Sequence, residues 1–300
     1  MLNGIINVYK ERGFTSFDVC ALMRGIAGQK KVGHTGTLDP QAEGVLPICL
    51  GNATKLCDML TDKTKEYVAE FVLGKKTDTL DIWGTVLEER EPVVSEDKLR
   101  EAILSFVGGY EQLPPMYSAK KVDGKRLYDL ARAGKEVDRK PVFVDIHEIE
   151  ILNIEYPKVT IRVSCGKGTY IRSLCEDIAV KAGELACMTS LKRTRVAAFT
   201  VDKALTLKDL QKLKDEGLLS TAVLPTDSAF PDYEALTVKK DFRKLIDNGN
   251  KLSLSMIDGK QNLNEGEIVR IYNDEKVFTG LYLFVKAENC LKPFKMFMGE

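Results

Sequence analysis

Gly33-His34-Thr35-Gly36-Thr37-Leu38-Asp39-Pro40 places two glycines, a histidine and one carboxylate in a single turn-rich stretch. Proline disfavours the α region for the residue ahead of it, so Asp39 is expected in an extended or turn conformation rather than within a helix. Gly33 and Gly36 permit tight turning or the close approach of a ligand. The chain then enters Gly44-Val45-Leu46-Pro47-Ile48-Cys49-Leu50, an apolar run that reads as a buried strand. A lone aspartate joined this way to a rigid element is suited to a cleft wall. Taken only as Gly, Asp and Pro near one another, the same residues read equally well as an ordinary turn between core elements.

Working outward, Ser16 is placed to cap a helix with Val19, Leu22, Met23 and Ile26 as its apolar positions and Gly28 as its end. Residues 67–73 read as a strand. Ser95 starts a second helix, with Leu99, Ala102, Ile103 and Phe106 on one face and Gly108-Gly109 closing it. Residues 110–140 hold Pro114-Pro115 and many charges and read as an inserted loop or hairpin. Residues 142–156 and 159–165 read as strands, and Thr169 opens a helix with Ile171, Leu174 and Ile178 on one face, closed near Gly183. Around Leu224-Pro225-Thr226-Asp227 the character changes. From about residue 235 one more helical stretch precedes short strands, including a hairpin of 268–272 and 277–281 over Asn273-Asp274.

A length of 300 residues favours two domains. Lys plus Arg and Asp plus Glu are both 44, and this zero net charge argues against indiscriminate coating of nucleic acid while leaving room for a local basic face. Basic pairs stand at Lys30-Lys31, Lys75-Lys76, Lys120-Lys121, Lys125-Arg126 and Lys192-Arg193. Alone each reads as solvated surface, and beside the motifs below as part of an RNA footprint. The 7 cysteines form no C-x-x-C pair and only 2 histidines accompany them, so reduced core thiols are expected rather than a zinc site. No run approaches the roughly 20 apolar residues of a membrane span. The first residues lack the features of a secretory signal. A cytoplasmic protein is expected.

Gly33 to Lys55, Gly-His-Thr-Gly-Thr-Leu-Asp-Pro-Gln-Ala-Glu-Gly-Val-Leu-Pro-Ile-Cys-Leu-Gly-Asn-Ala-Thr-Lys, resembles the signature of the TruB-type pseudouridine synthases. Four further stretches add to the resemblance. They are Lys10 with Gly13-Phe14-Thr15-Ser16; Glu66-Tyr67 with Gly74 and Thr77-Asp78-Thr79-Leu80-Asp81; Pro114-Pro115-Met116-Tyr117-Ser118-Ala119 with Gly124-Lys125-Arg126-Leu127-Tyr128; and Gly168-Thr169-Tyr170-Ile171-Arg172-Ser173-Leu174. Together they cover the chain to about residue 230. One departure is Glu11, where the family usually has proline.

The resemblance implies an α+β pseudouridine synthase fold, with a mixed, largely antiparallel sheet and flanking helices, over residues 1–232. A PUA-like RNA-binding β-module would follow over 233–300. It implies isomerisation of the T-loop uridine of tRNA (position 55 in tRNA numbering) by base flipping, with the T-arm as partner. No obligate protein partner is expected, and a monomer. Breaking the glycosidic bond, turning the base and rejoining it through carbon 5 exchanges no electrons and loses no group. Neither metal, redox cofactor nor nucleotide is required in principle, and no P-loop or dinucleotide fingerprint is found.

Such a reaction calls for a carboxylate at the sugar, as nucleophile or as stabiliser of cationic character. The resemblance gives this place to Asp39. It gives Arg172 the part of a guanidinium fork that fixes the carboxylate, and Tyr67 the part of the ring on which the flipped base stacks, with a phenol available to the carbon-5 proton. Tyr170 and Leu191 match positions lining the nucleotide pocket, and His34 one that contacts the everted nucleotide or fills its gap. Lys10 and Lys55 match positions that neutralise a phosphate or support the wall. Outside the motifs Arg172 would read as a surface arginine and Tyr170 and Leu191 as core. Two alternatives stand beside this reading: the same chemistry on another RNA uridine or in a guide-RNA complex, and a tRNA-folding chaperone.

Overall fold

Alternating burial builds the centre of the main sheet. In Lys65–Leu73 every second residue (Lys65, Tyr67, Ala69, Phe71, Leu73) turns to one buried face, the period of two that a strand with one covered side imposes. Lys158–Cys165 repeats the pattern with Val159, Ile161, Val163 and Cys165, and pairs antiparallel with it so that Val163 lies opposite Tyr67. The computed structural model describes residues 1–118, 120–122, 124–134, 137–259 and 262–297. In it these strands belong to an eight-stranded sheet. Its order is Gly4–Lys10, Glu43–Leu50, Ala186–Val196, Lys65–Leu73, Lys158–Cys165, Ile146–Glu155, with Val32–His34 paired to Glu43–Leu50 and Phe199–Thr200 to Ala186–Val196. Every pairing is antiparallel except the short join of Glu43–Leu50 to Ala186–Val196. The expected mixed, largely antiparallel sheet with flanking helices is what the chain forms.

Helices Glu96–Leu104 and Ile171–Ala182 bury their apolar faces with Tyr67, Phe71 and Ile161. Ser16–Ala27 and Leu207–Asp215 cover Ile6, Val8, Leu46 and Ile48. Two caps lie one residue from their expected places. Thr15, not Ser16, caps Ser16–Ala27, through a reciprocal box with Asp18, an arrangement worth about 1 kcal/mol. That leaves the Ser16 hydroxyl free to accept from the Leu38 N–H at 2.9 Å. Helix Ile171–Ala182 has Tyr170 at its N-cap, and the Thr169 hydroxyl donates to the Gly166 carbonyl instead.

Residues 110–140 form a strand Tyr110–Gln112 paired with Val142–Val144, a small ribbon of Lys121–Val122 and Lys125–Arg126, and a short helix Leu127–Arg132. Ala119 and the side chains of Lys121, Lys125 and Arg126, named above, lie outside the described residues. Towards the C-terminus a five-stranded mixed sheet runs in the order Ala235–Thr237, Ile268–Tyr272, Phe278–Val285, Cys290–Met296, Leu252–Ser253 around its own apolar cluster. Strands, not a helix, therefore resume at residue 235, and the helical stretch is the short Arg243–Asp247. Leu281 and Phe297 pack with Ile5, Val45 and Cys49 of the main sheet. Among the described residues no helix is long and apolar enough to cross a membrane.

The parallel join depends on one glycine. Gly44 has φ +110°, and a Cβ there would stand 2.2 Å from the Arg193 carbonyl oxygen. Both the dihedral and the space exclude a side chain. Gly44→Ala is expected to cost more than about 1 kcal/mol of stability, read as a lower midpoint in urea unfolding; an unchanged midpoint would show that the join tolerates separation.

Candidate active site

The stretch from Gly33 to Ala42 carries little regular structure, so its backbone groups need partners elsewhere. His34 ends the strand paired to Ile48. The Ser16 hydroxyl takes the Leu38 N–H. The Pro40 carbonyl accepts from the Gly13 N–H at 2.9 Å, and the Asp39 carbonyl from the Ala42 N–H at 3.1 Å. Two cations do the rest. Arg193, 1% exposed, donates to the carbonyls of Val45 (2.7 Å), Gly36 (3.1 Å) and Thr37 (3.5 Å). Lys10, fully buried, donates to those of Ala42 (2.5 Å), Pro40 (3.1 Å) and Glu11 (3.2 Å). Asp39, outside any helix as its proline requires, presents a carboxylate that is 39% exposed.

Arg172 meets that carboxylate. Its Nε lies 2.8 Å from Oδ2 and its Nη2 3.2 Å from Oδ1 of Asp39, the two-pronged geometry that suits a guanidinium. The remaining donors reach the Thr79 carbonyl at 2.9 Å and the Tyr117 carbonyl at 2.8 Å. Asp81 stands 3.9 Å from Nη1 and itself accepts from the Thr79 hydroxyl at 2.7 Å. One 6% exposed side chain thus ties four segments together. Its start in Ile171–Ala182 is oriented by Gln112, whose amide donates to the Tyr170 carbonyl (3.0 Å) and accepts from the Tyr170 N–H (2.8 Å).

Tyr67 and Leu191 share one buried cluster with Leu38 and Ala42, so the pocket side of the loop is apolar. Burial pushes the Tyr67 phenol pKa up, while the neighbouring Arg193 guanidinium favours the phenolate. The ring therefore rests neutral. His34 accepts from the Gly36 N–H through Nδ1 at 3.3 Å, and burial together with Arg193 lowers its pKa, which leaves the imidazole uncharged near neutrality. The result is an aspartate held by an arginine fork beside a neutral aromatic ring and an aliphatic wall. Such a site can receive a flat base and place a carboxylate against its sugar.

Residues 24–171 match the N-terminal domain of TruB family pseudouridylate synthases, and residues 172–231 the tRNA pseudouridylate synthase B C-terminal domain. A protein of Lachnoclostridium phytofermentans named tRNA pseudouridine synthase B is 49% identical, over 99% of this chain and 100% of its own. The chain belongs to the TruB family. The like-named protein of Alkaliphilus oremlandii is 45% identical over 98% of this chain and 97% of its own. Among solved structures, one of an H/ACA RNP bound to a substrate RNA containing 2'-deoxyuridine is similar, with TM-score 0.77 and 27% identity over 99% of this chain and 85% of that one. Another, of the archaeal box H/ACA sRNP Nop10–Cbf5 complex, has TM-score 0.75 and 27% identity over 99% and 86%.

Not all the TruB motif residues gather at the carboxylate. Lys55 is exposed and donates to the Met296 carbonyl at 3.1 Å, bracing the C-terminal strand. Of the two parts expected of Lys10, wall support fits and phosphate neutralisation does not, because its ammonium is sealed among carbonyls. The pair Lys192-Arg193 is likewise not wholly surface, since Arg193 points inward. A strand assignment over 186–196 would have found it, because Leu191 and Arg193 then share a face. Gln112 has no such signal, and Asp81, the second carboxylate at Arg172, ends a motif stretch to which the sequence attaches no role.

Two measurements test this wall. Lys10→Met is expected to leave the slope of log affinity for tRNA against log salt unchanged, whereas loss of a phosphate contact lowers it by about 1. Burial also lowers the Lys10 pKa to about 8 from 10.5. Between those values the unfolded chain holds a proton that the folded chain has lost, so stability rises with pH across that window. Urea titrations of the native chain should gain stability there relative to Lys10→Met; parallel pH profiles would contradict it.

Proposed function

We propose that this TruB-family chain converts the T-loop uridine of tRNA, position 55 in tRNA numbering, to pseudouridine. The observation that carries the reading is the two-pronged Asp39–Arg172 contact, at 2.8 and 3.2 Å, beside the buried ring of Tyr67. Whether a carboxylate attacks the sugar or steadies its developing cation, it must be fixed in direction, and the fork does this. The target uridine is turned out of its stack and laid on Tyr67, with Leu191 and Tyr170 lining the pocket and His34 at its mouth. In the last step the Tyr67 phenol gives up its own proton to water and its oxygen takes the carbon-5 proton, the Arg193 guanidinium favouring the phenolate form.

The chain acts as a monomer in the cytoplasm, residues 1–232 forming the catalytic domain and 233–300 a PUA-like RNA-binding module. Recognition rests on tRNA shape and unpaired loop bases, since A-form grooves carry little readable sequence. The names of the curated relatives support tRNA as the substrate.

The test is tritium release from tRNA carrying carbon-5-tritiated uridine, with chelator present. Release should map to one T-loop uridine. Asp39→Asn is expected to abolish it while tRNA binding stays within about three-fold, the ground state losing little. Turnover by that variant at the native rate would sink the carboxylate role. Tyr67→Phe keeps the ring and should slow single turnover by about 100-fold, in the range of a lost acid–base group; an unchanged rate removes Tyr67 from proton transfer.

A further inference from the structure

Trp83 is the chain's single tryptophan, and it stands 44% exposed. Exposed aromatics scattered singly are common, but this one is held. Its backbone N–H donates to Asp81 Oδ1 at 3.2 Å, the same atom that takes the Thr79 hydroxyl, and the adjoining Ile82 backbone N–H donates to the Met188 carbonyl at 2.9 Å. The loop that carries it is the one whose Thr79 carbonyl and Asp81 carboxylate meet Arg172. Across from it stands Arg12, exposed, with its guanidinium carbon 5.7 Å from the centre of the indole, within cation–π range. Arg12 in turn precedes Gly13, whose N–H is bonded to the Pro40 carbonyl beside Asp39.

The two partners thus come from the two segments that flank the Asp39–Arg172 contact, and they meet at its rim. An indole beside a guanidinium, both open to solvent, is the combination that holds an unstacked nucleotide: the ring takes a base face and the cation its phosphate.

We infer that Trp83 and Arg12 form a rim clamp that stacks an RNA base next to the uridine being isomerised and pairs with its phosphate. The inference rests on the proposed RNA-modifying function. Trp83 and Arg12 are positioning residues that act on substrate binding, not on the bond being broken.

The lone tryptophan makes the clamp directly observable. The full chain, native and Asp39→Asn, is titrated with unmodified tRNA while tryptophan emission and filter retention are both followed. Emission should change along the same curve as binding. Trp83→Ala should raise KM and Kd about ten-fold, as loss of one stacked base does, with the saturating single-turnover rate within about two-fold and Trp83→Phe recovering most of the affinity. Arg12→Ala should lower the salt slope by about 1. Emission that stays constant while tRNA is retained overturns the clamp, as does Trp83→Ala binding within about two-fold of native. Pseudouridine formed without any emission change defeats the clamp alone. An emission change with weakened Trp83→Ala binding but no pseudouridine upholds the clamp and defeats the catalytic reading.

Discussion

Two buried cations without a buried carboxylate between them set the geometry of this chain. Arg193 and Lys10 are removed from water, which is tolerable only if every donor finds an acceptor. The acceptors are backbone carbonyls of the Gly36, Thr37, Pro40, Ala42 and Val45 peptides. Moving the loop that carries Asp39 would leave charge unpaired inside the protein. The loop is therefore pinned by these bonds, although it has almost no regular structure of its own.

Arg172 performs the matching task from the other side. It emerges at the start of a helix whose first peptide is gripped by Gln112, and it gathers Asp39, Thr79 and Tyr117 around one guanidinium. With the helix that carries it, four segments at the site are thus coupled through a single rigid fork. Precision of this kind is what a catalytic carboxylate needs, since small misplacements are costly in rate.

Charge counting illustrates how far composition reaches. Lys and Arg total 44, yet Lys10, Lys65 and Arg193 point into the protein, and Lys65 donates to the Thr61 and Lys63 carbonyls at 2.6 Å each. Burial lowers the pKa of both lysines to about 8. A basic pair such as Lys192-Arg193 therefore splits into one outward and one inward charge, as the alternation of a strand demands.

Local chemistry was legible in the sequence alone: the non-helical Asp39 ahead of Pro40, the strand after Gly44, the helix ending at Gly28, and the dense motif whose family the comparisons bear out. The first three follow from dihedral limits and periodicity, which act over a few residues, and the last from resemblance. What no window of sequence contained is which donors and acceptors meet across 100 or more positions, such as Arg193 with Val45 at a separation of 148 or with Gly36 at 157; the meeting of Arg172 with Asp39 came only from the resemblance. The caps show the same division at small scale: Thr15 and Ser16 are equivalent by composition, and only the approach of Leu38 decides that Thr15 caps while Ser16 reaches across. Burial and long-range pairing are properties of the folded whole, so the sequence by itself determined which residues were available for the site, and the tertiary structure decided which of them face the substrate and which hold the wall.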